Sequence, residues 1–296
     1  MPTISQAISE GATCFHTSGV DQERRTAGIL LCHVLEIDRT HLLTRSDEQI
    51  EANRYTAYLA LVKRRAAGEP VQYITGHQEF YGLEFIVTPD VLIPRPETEF
   101  LVERVIKLAR ESRNETPLIV DLGTGSGCIA VTLALHVPGA RVIATDSSNA
   151  ALDVARANAG RHGARDRIEF VQGDLLTPLV ERDLEAAVDI LASNPPYVDE
   201  DKPELIQREV SEWEPPSALF GGADGLDFYR RLLLDAPRYL KPGGYLVCEI
   251  GYGQLDAIHE LIDRSSLELI DVTADLQGLP RTLALRTKPM PIHTRQ

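Results

Sequence analysis

Apolar residues follow two regimes along this chain. From residue 3 to about 76 they recur at three- and four-residue intervals: Ala27, Leu30, Leu31, Val34 and Leu35 within 24–35, then Ala57, Leu59, Leu61 and Val62 within 50–67. That spacing gathers them on one helix face. Residues 1–76 are therefore predicted to form a small helical domain. Over 78–93 the pattern changes to Phe80, Tyr81, Phe85, Ile86 and Val87 around Gly82, which predicts a β-hairpin inside a linker spanning 77–95. Pro94 and Pro96 then hold the chain extended on either side of Arg95, and a helix is predicted over 99–110 with Thr98 placed to cap it.

The remainder, 96–287, alternates short apolar runs with helical patterns. Strands are predicted at 117–121, 141–145, 168–172, 188–192 and 245–250, and helices at 128–137, 150–162, 226–240 and 254–264. Two closing strands flank Gly278-Leu279-Pro280. Strand–helix alternation is the mark of a parallel sheet covered on both faces. The expected fold class is thus α/β and Rossmann-like: a mostly parallel sheet with a C-terminal antiparallel strand, preceded by the all-α domain and the hairpin. Residues 288–296 are polar, broken by proline and expected to fray.

Composition narrows the class. With 296 residues, 43% of them hydrophobic, the chain can bury one large and one small core. No apolar run is long enough to span a membrane and no basic-then-apolar segment opens the chain, so the cytoplasm is the expected compartment. Cys14, Cys32, Cys128 and Cys248 are scattered and the eight histidines lack ligand spacing, so buried free thiols and no metal are expected. The formal charge of −14 disfavours direct nucleic-acid binding and favours a protein or small-molecule partner; a monomer is the default.

The candidate chemistry lies at consecutive strand ends. The first predicted strand runs into Gly123-Thr124-Gly125-Ser126-Gly127, a strand-to-helix turn where backbone can approach a ligand closely. The second ends in Asp146, placed to accept two ribose hydroxyls; the third ends in Asp174, placed to accept an adenine amino hydrogen. The fourth ends in Ser193-Asn194-Pro195-Pro196-Tyr197. Its prolines free the backbone from sheet pairing. The Asn194 side-chain carbonyl, the Pro195 backbone carbonyl and the Tyr197 ring describe a receptor for a planar group bearing NH2, although a plain proline-rich turn has the same composition.

A dinucleotide dehydrogenase shares the glycine loop and the acidic second strand. Its loop is G-x-G-x-x-G, however, and an Asn-Pro-Pro-Tyr receptor has no part in hydride transfer. The antiparallel closing pair favours S-adenosylmethionine, with S-adenosylhomocysteine as product. The loop over 199–225 carries Glu200, Asp201, Glu204, Glu209, Glu212, Glu214 and the single tryptophan, Trp213; it is either a binding segment or simply solvated.

Asp121-Leu122-Gly123-Thr124-Gly125-Ser126-Gly127 together with Asn194-Pro195-Pro196-Tyr197 resembles the amino-methyltransferases. Narrower segments add to this: Gln72-Tyr73-Ile74-Thr75-Gly76, Glu79-Phe80-Tyr81-Gly82, Ile93-Pro94-Arg95-Pro96-Glu97-Thr98-Glu99, Gly222-Ala223-Asp224-Gly225-Leu226 and Asp275-Leu276-Gln277-Gly278-Leu279-Pro280-Arg281. Over nearly the whole chain these resemble the release-factor glutamine N5-methyltransferases, the PrmC/HemK family. The resemblance implies a helical N-terminal domain, a hairpin linker and a class I methyltransferase domain; the helical domain is expected to recognise the substrate, with the acidic loop over 199–214 a second candidate because neither is needed for the cofactor. The resemblance also implies methyl transfer from S-adenosylmethionine to the glutamine side-chain amide of the Gly-Gly-Gln motif in peptide chain release factors.

By position it implies cofactor contacts at Gly123, Thr124, Gly125, Ser126, Gly127, Asp146, Asp174, Leu175 and Asn194. Glutamine contacts are implied at Asn194, Pro195, Pro196 and Tyr197, with Asn194, Pro195 and Tyr197 as the catalytic set. Two departures stand out: Leu175 where some members carry an aromatic residue, and Tyr81 in place of a common tryptophan. Arg95, Glu97 and Thr98 are expected to brace the site wall, with Arg95 equally suited to a structural ion pair. Two other readings stay open, an adenine-N6 methyltransferase acting on RNA or DNA and a cofactor-binding assembly protein without catalysis.

Overall fold

An apolar stripe sets the N-terminal helices, and side-chain caps start two of them. The computed structural model describes residues 1–112, 114–202 and 206–288; the expected frayed tail beyond Lys288 and Glu204 of the acidic loop lie outside them. Helix α1 (Ile4–Thr17) starts at a capping box, in which Gln6 N donates to Thr3 Oγ1 and Thr3 N donates to Gln6 Oε1. After α2 (Glu23–Leu35), helix α3 (Arg39–Thr44) is capped by Asp38, and α4 (Ala52–Ala66) and α5 (Val71–Thr75) follow. Ala27, Leu30, Leu31 and Val34 are buried as the periodicity predicts. On α4 the buried stripe is Tyr58 and Val62, whereas Ala57 is exposed. Tyr58 is fully buried because its hydroxyl finds a partner, donating to Ala7 O at 3.1 Å.

This helical unit comprises Met1–His77 and a second stretch, Gln207–Trp213, from inside the acidic loop. Arg65 pairs with Glu209 at 2.5 Å, and Trp213 Nε1 lies where it would touch a Cβ at Gly68. The loop is thus no uniform solvated run.

A two-stranded hairpin follows, β1 (His77–Phe80) and β2 (Leu83–Ile86); from Gln78 on it belongs to the second unit, and its Phe80 and Phe85 are fully buried. Helix α6 (Thr98–Glu111) leads into β3 (Leu118–Leu122), α7 (Cys128–His136), β4 (Arg141–Asp146), α8 (Asn149–Arg161), β5 (Ile168–Gln172), α9 (Thr177–Val180) and β6 (Val188–Ser193). Helix α10 (Arg208–Trp213) is the stretch assigned to the helical unit. Then come α11 (Asp227–Tyr239), β7 (Leu240–Glu249), α12 (Leu255–Asp263), β8 (Leu267–Ala274) and β9 (Pro280–Thr287).

Seven strands form one sheet in the order β5-β4-β3-β6-β7-β9-β8, with β9 antiparallel to β7 and to β8 and the other pairs parallel. The expected α/β class is the observed one. Helices α6 and α7 with the hairpin build one hydrophobic layer; α11 and α12 build the other. Because the strand order reverses between β3 and β6, their carboxyl ends open a crevice at the switch point. Leu122 pairs with Ser193 there, which puts the glycine turn beside Asn194.

Polar residues fasten the hairpin: Glu99 accepts from Tyr81 N, Arg161 pairs with Glu84, and a buried asparagine holds the end of β2. Asn158 on α8 is fully buried, accepts from Ile86 N at 2.7 Å, and donates to Ile86 O at 3.0 Å and Ser126 O at 2.9 Å. Asn158→Ala leaves those backbone groups unpaired and is expected to destabilise the fold by about 1–3 kcal/mol, read as a lowered midpoint in a urea melt.

Candidate active site

A cleft of about 290 Å³ lies over the carboxyl ends of β3, β4, β5 and β6. Among the residues predicted from sequence, Gly123, Gly125, Asp146, Asp174, Leu175, Asn194, Pro195 and Pro196 line it. Thr124, Ser126, Gly127 and Tyr197 do not. Thr124 is buried and its hydroxyl donates to Asp121 at 2.6 Å; Ser126 is buried, and Gly127 abuts Ala155 of α8. Thr124 and Ser126 line a smaller cavity of about 40 Å³ that shares Gly123, Gly125 and Asn194 with the cleft. Gly125 sits at φ +54° with open space where a Cβ would project, as a loop reserved for close ligand approach requires.

The carboxylates are already oriented. Asp146 accepts from Gly125 N and from Ser148 N, both at 2.9 Å, so the side chain that ends β4 also holds the glycine turn. Asp174 is paired with Arg231 at 2.5 Å. Asp121, beneath the turn, is pushed up to about 7 by burial, against the hydrogen bond from Thr124. With Asp90, the lining carries three aspartates and, among the described residues, no lysine or arginine. Such a lining suits a ligand with cationic centres and disfavours a pyrophosphate. Phe220 and Phe228 also face the cleft, supplying aromatic surface that Leu175 does not. Sequence spacing missed them because Phe220 lies within the long loop and Phe228 follows it, neither at a strand end.

Behind the Asn-Pro-Pro-Tyr turn lies a hydrogen-bond chain. Asn194 Nδ2 donates to Thr98 Oγ1 at 3.1 Å, and Thr98 Oγ1 donates to Glu249 Oε2 at 2.6 Å. The Tyr197 hydroxyl donates to Glu249 Oε1 at 3.4 Å. Among the described residues no donor engages Asn194 Oδ1 or the Pro195 carbonyl. Both acceptors therefore stay free for a ligand. Two expectations are corrected here. Thr98 does not cap α6, where Glu97 takes the cap position without a side-chain bond. Tyr197 packs its ring by Gly251 and aims its phenol at Glu249 instead of lining the cleft as a platform.

Arg95 proves to be an ion-pair partner, contacting Glu214 at 2.5 Å, while Glu214 also accepts from Ile93 N at 3.2 Å. Glu214 is buried, not solvated. Of the four cysteines, all free, Cys128 and Cys248 are buried and Cys14 and Cys32 are partly exposed. No helix among the described residues is long and apolar enough to cross a membrane.

Comparison with known proteins bears on the same elements. Residues 6–76 match the PrmC N-terminal domain and residues 96–212 the methyltransferase small domain. The release factor glutamine methyltransferase of Koribacter versatilis is 42% identical over 96% of this chain and 98% of its own length. The chain belongs to the release factor glutamine methyltransferase family. A second member, from Moorella thermoacetica, is 44% identical over 88% of this chain and 89% of its own. Among solved structures, a methyltransferase from Pyrococcus furiosus shares the fold at TM-score 0.51 and 19% identity, covering 80% of this chain and 100% of the other. Ion pairs anchor two of the narrower segments. In one of them, Asp275 accepts from Gln277 N and Leu279 N and pairs with Arg281 at 2.9 Å, which holds the β8–β9 turn.

Proposed function

We propose that this protein transfers a methyl group from S-adenosylmethionine to the side-chain amide nitrogen of the glutamine in the Gly-Gly-Gln motif of peptide chain release factors. The observation that carries the reading is the pair of free acceptors, Asn194 Oδ1 and the Pro195 carbonyl, held at the switch-point crevice beside the glycine turn. A primary amide has two N–H groups in one plane, which two acceptors at a strand end can take together.

The cleft suits the cofactor: Gly123 and Gly125 leave room for close approach, Asp146 offers its carboxylate to ribose hydroxyls, and Asp174 and Leu175 flank the place for adenine. When bound, the cofactor supplies a methyl group on a sulfonium centre. The chain's own residues do the rest by positioning. An amide nitrogen is a weak nucleophile because its lone pair is delocalised. Acceptors on both hydrogens favour pyramidal geometry at nitrogen and aim the lone pair. As positive charge develops on nitrogen, the carbonyl dipoles of Asn194 and Pro195 stabilise it. No general base is needed: the N-protonated amide that forms is strongly acidic and passes its proton to solvent water after transfer.

The helical unit, Met1–His77 with Gln207–Trp213, takes no part in this chemistry. In this reading it selects the release factor.

Intact-mass measurement of purified release factor after incubation with this protein and the cofactor tests the proposal. One added methyl group is expected, and none on a release factor whose Gly-Gly-Gln glutamine is replaced by glutamate. Methyl transfer to RNA or DNA and none to release factor would instead make the planar NH2 that of adenine.

A further inference from the structure

We propose that Glu249 is a positioning residue for methyl transfer: through the Thr98 hydroxyl its carboxylate sets which end of the Asn194 amide faces the cleft, while its other oxygen holds the Tyr197 phenol. The inference deepens the reading of Asn194 as an amide receptor and rests on it for its functional consequence, though not for its geometry.

Strand β7 carries a buried charge in an apolar run. Leu246, Val247, Cys248 and Ile250 are buried apolar neighbours, yet between them Glu249 is only 2% exposed. A carboxylate so enclosed persists only where hydrogen bonds satisfy it. Its oxygens receive Thr98 Oγ1 at 2.6 Å and the Tyr197 hydroxyl at 3.4 Å, and its backbone carbonyl receives the Tyr229 hydroxyl at 2.8 Å. One residue thus touches α6, the Asn-Pro-Pro-Tyr turn and α11.

The direction of donation along this chain follows from the ionised carboxylate, which can only accept. Thr98 must then donate to Glu249, which leaves its oxygen lone pairs toward Asn194. Only the NH2 end of the Asn194 amide can donate to them, so Oδ1 is turned to the cleft. Protonation of Glu249 at Oε2 reverses the chain. The new O–H donates to Thr98, the Thr98 hydrogen swings toward Asn194, and only Oδ1 can accept it. The amide must rotate, presenting NH2 to the cleft, where two donors then oppose each other. A receptor for an amide NH2 works in the first state and fails in the second.

The surroundings put this switch within reach of neutral pH. Burial pushes the Glu249 carboxyl up to about 7, with Glu97 at the start of α6 adding to the rise and Thr98, Arg281 and Tyr197 opposing it. Arg281 is itself engaged by Asp275. Tyr229 on α11, Cys248 on β7 and Cys128 on α7 are pushed up by burial and stay neutral. Arg95, which acts on the Tyr197 phenol, is engaged by Glu214, and Asp121, which acts on Cys128, is a second buried carboxyl raised by burial. Because the working state is the ionised one, competence is full above the Glu249 pKa and is lost as pH falls through it.

The test is a pH titration of the Asn194 side-chain NH2 resonance in the ¹⁵N-labelled full chain, assigned by its disappearance in Asn194→Ala. It is expected to shift with a midpoint near neutrality in the wild type, to stay flat in Glu249→Gln and Thr98→Val, and to return in Thr98→Ser. Methyl transfer should follow: Thr98→Val slows it by up to about 10²-fold and Thr98→Ser restores most of the loss. A flat wild-type resonance overturns the proposal, as does the same titration persisting in Glu249→Gln, which would assign it to another carboxyl such as Asp121. Should Glu249→Gln not fold, the Thr98 pair decides alone, since equal titration in Thr98→Val and Thr98→Ser excludes the relay. An intact titration without methyl transfer to release factor would overturn the substrate reading and leave the relay standing.

Discussion

Asn194→Ala is expected to lower the rate of methyl transfer by about 10²–10³-fold, the scale seen when one preorganised dipole is removed from a transition-state site. The loss should fall on kcat more than on the KM for release factor. The Asn194 carbonyl gains most when the nitrogen becomes positive, whereas ground-state docking draws on a much larger protein surface. Cofactor affinity is expected to change far less, because the glycine turn and Asp146 remain in place. Initial rates at varied release factor concentration, with calorimetric cofactor binding on the same preparations, separate these effects. An Asn194→Ala protein with near-normal kcat would remove Asn194 from the chemistry.

Asp146→Ala acts through the opposite partner. Asp146 holds the glycine turn through Gly125 N and caps the entry to α8 through Ser148 N, so its removal costs the order of the turn and, in the proposed reading, an acceptor for the ribose. Hydrogen bonds to a charged group contribute about 1.5–3 kcal/mol each, so cofactor affinity is expected to fall by at least about tenfold. At saturating cofactor the rate should largely recover, which distinguishes this variant from Asn194→Ala. Calorimetry gives the affinity directly, and unchanged affinity would show that the cofactor does not meet β4.

Both residues were visible in the sequence because each ends an apolar run. A run of four to six buried residues can be recognised as a strand, and whatever polar group follows it stands at the carboxyl edge of the sheet, where ligands of this fold bind. Asn194 and Asp146 were found in that way and Asp174 after the half-exposed strand β5, and the observed strand order brings them to one cleft. The glycine turn was legible for the same reason.

What stayed hidden depends on contacts between residues far apart in the chain. Glu249 lies inside an apolar run, and its partner Thr98 is 151 positions earlier. A threonine at the head of a helix suggests a cap, the local bond, until the fold supplies a buried carboxylate that needs a donor more. Glu214 looked like one charge among many in an acidic loop, yet it is buried against Arg95 and Ile93. Gly225, at φ +72°, has a reason that only the fold reveals: a Cβ there would overlap the Tyr197 carbonyl, so the residue backs the Asn-Pro-Pro-Tyr turn.

A structure of this protein bound to S-adenosylhomocysteine and a Gly-Gly-Gln-bearing release factor domain tests the receptor most directly. The glutamine side-chain nitrogen is expected within about 2.7–3.2 Å of both Asn194 Oδ1 and the Pro195 carbonyl, with its open face toward the cofactor sulfur. A glutamine bound through its carbonyl oxygen, or an Asn194 that turns its NH2 to the substrate, would contradict the account.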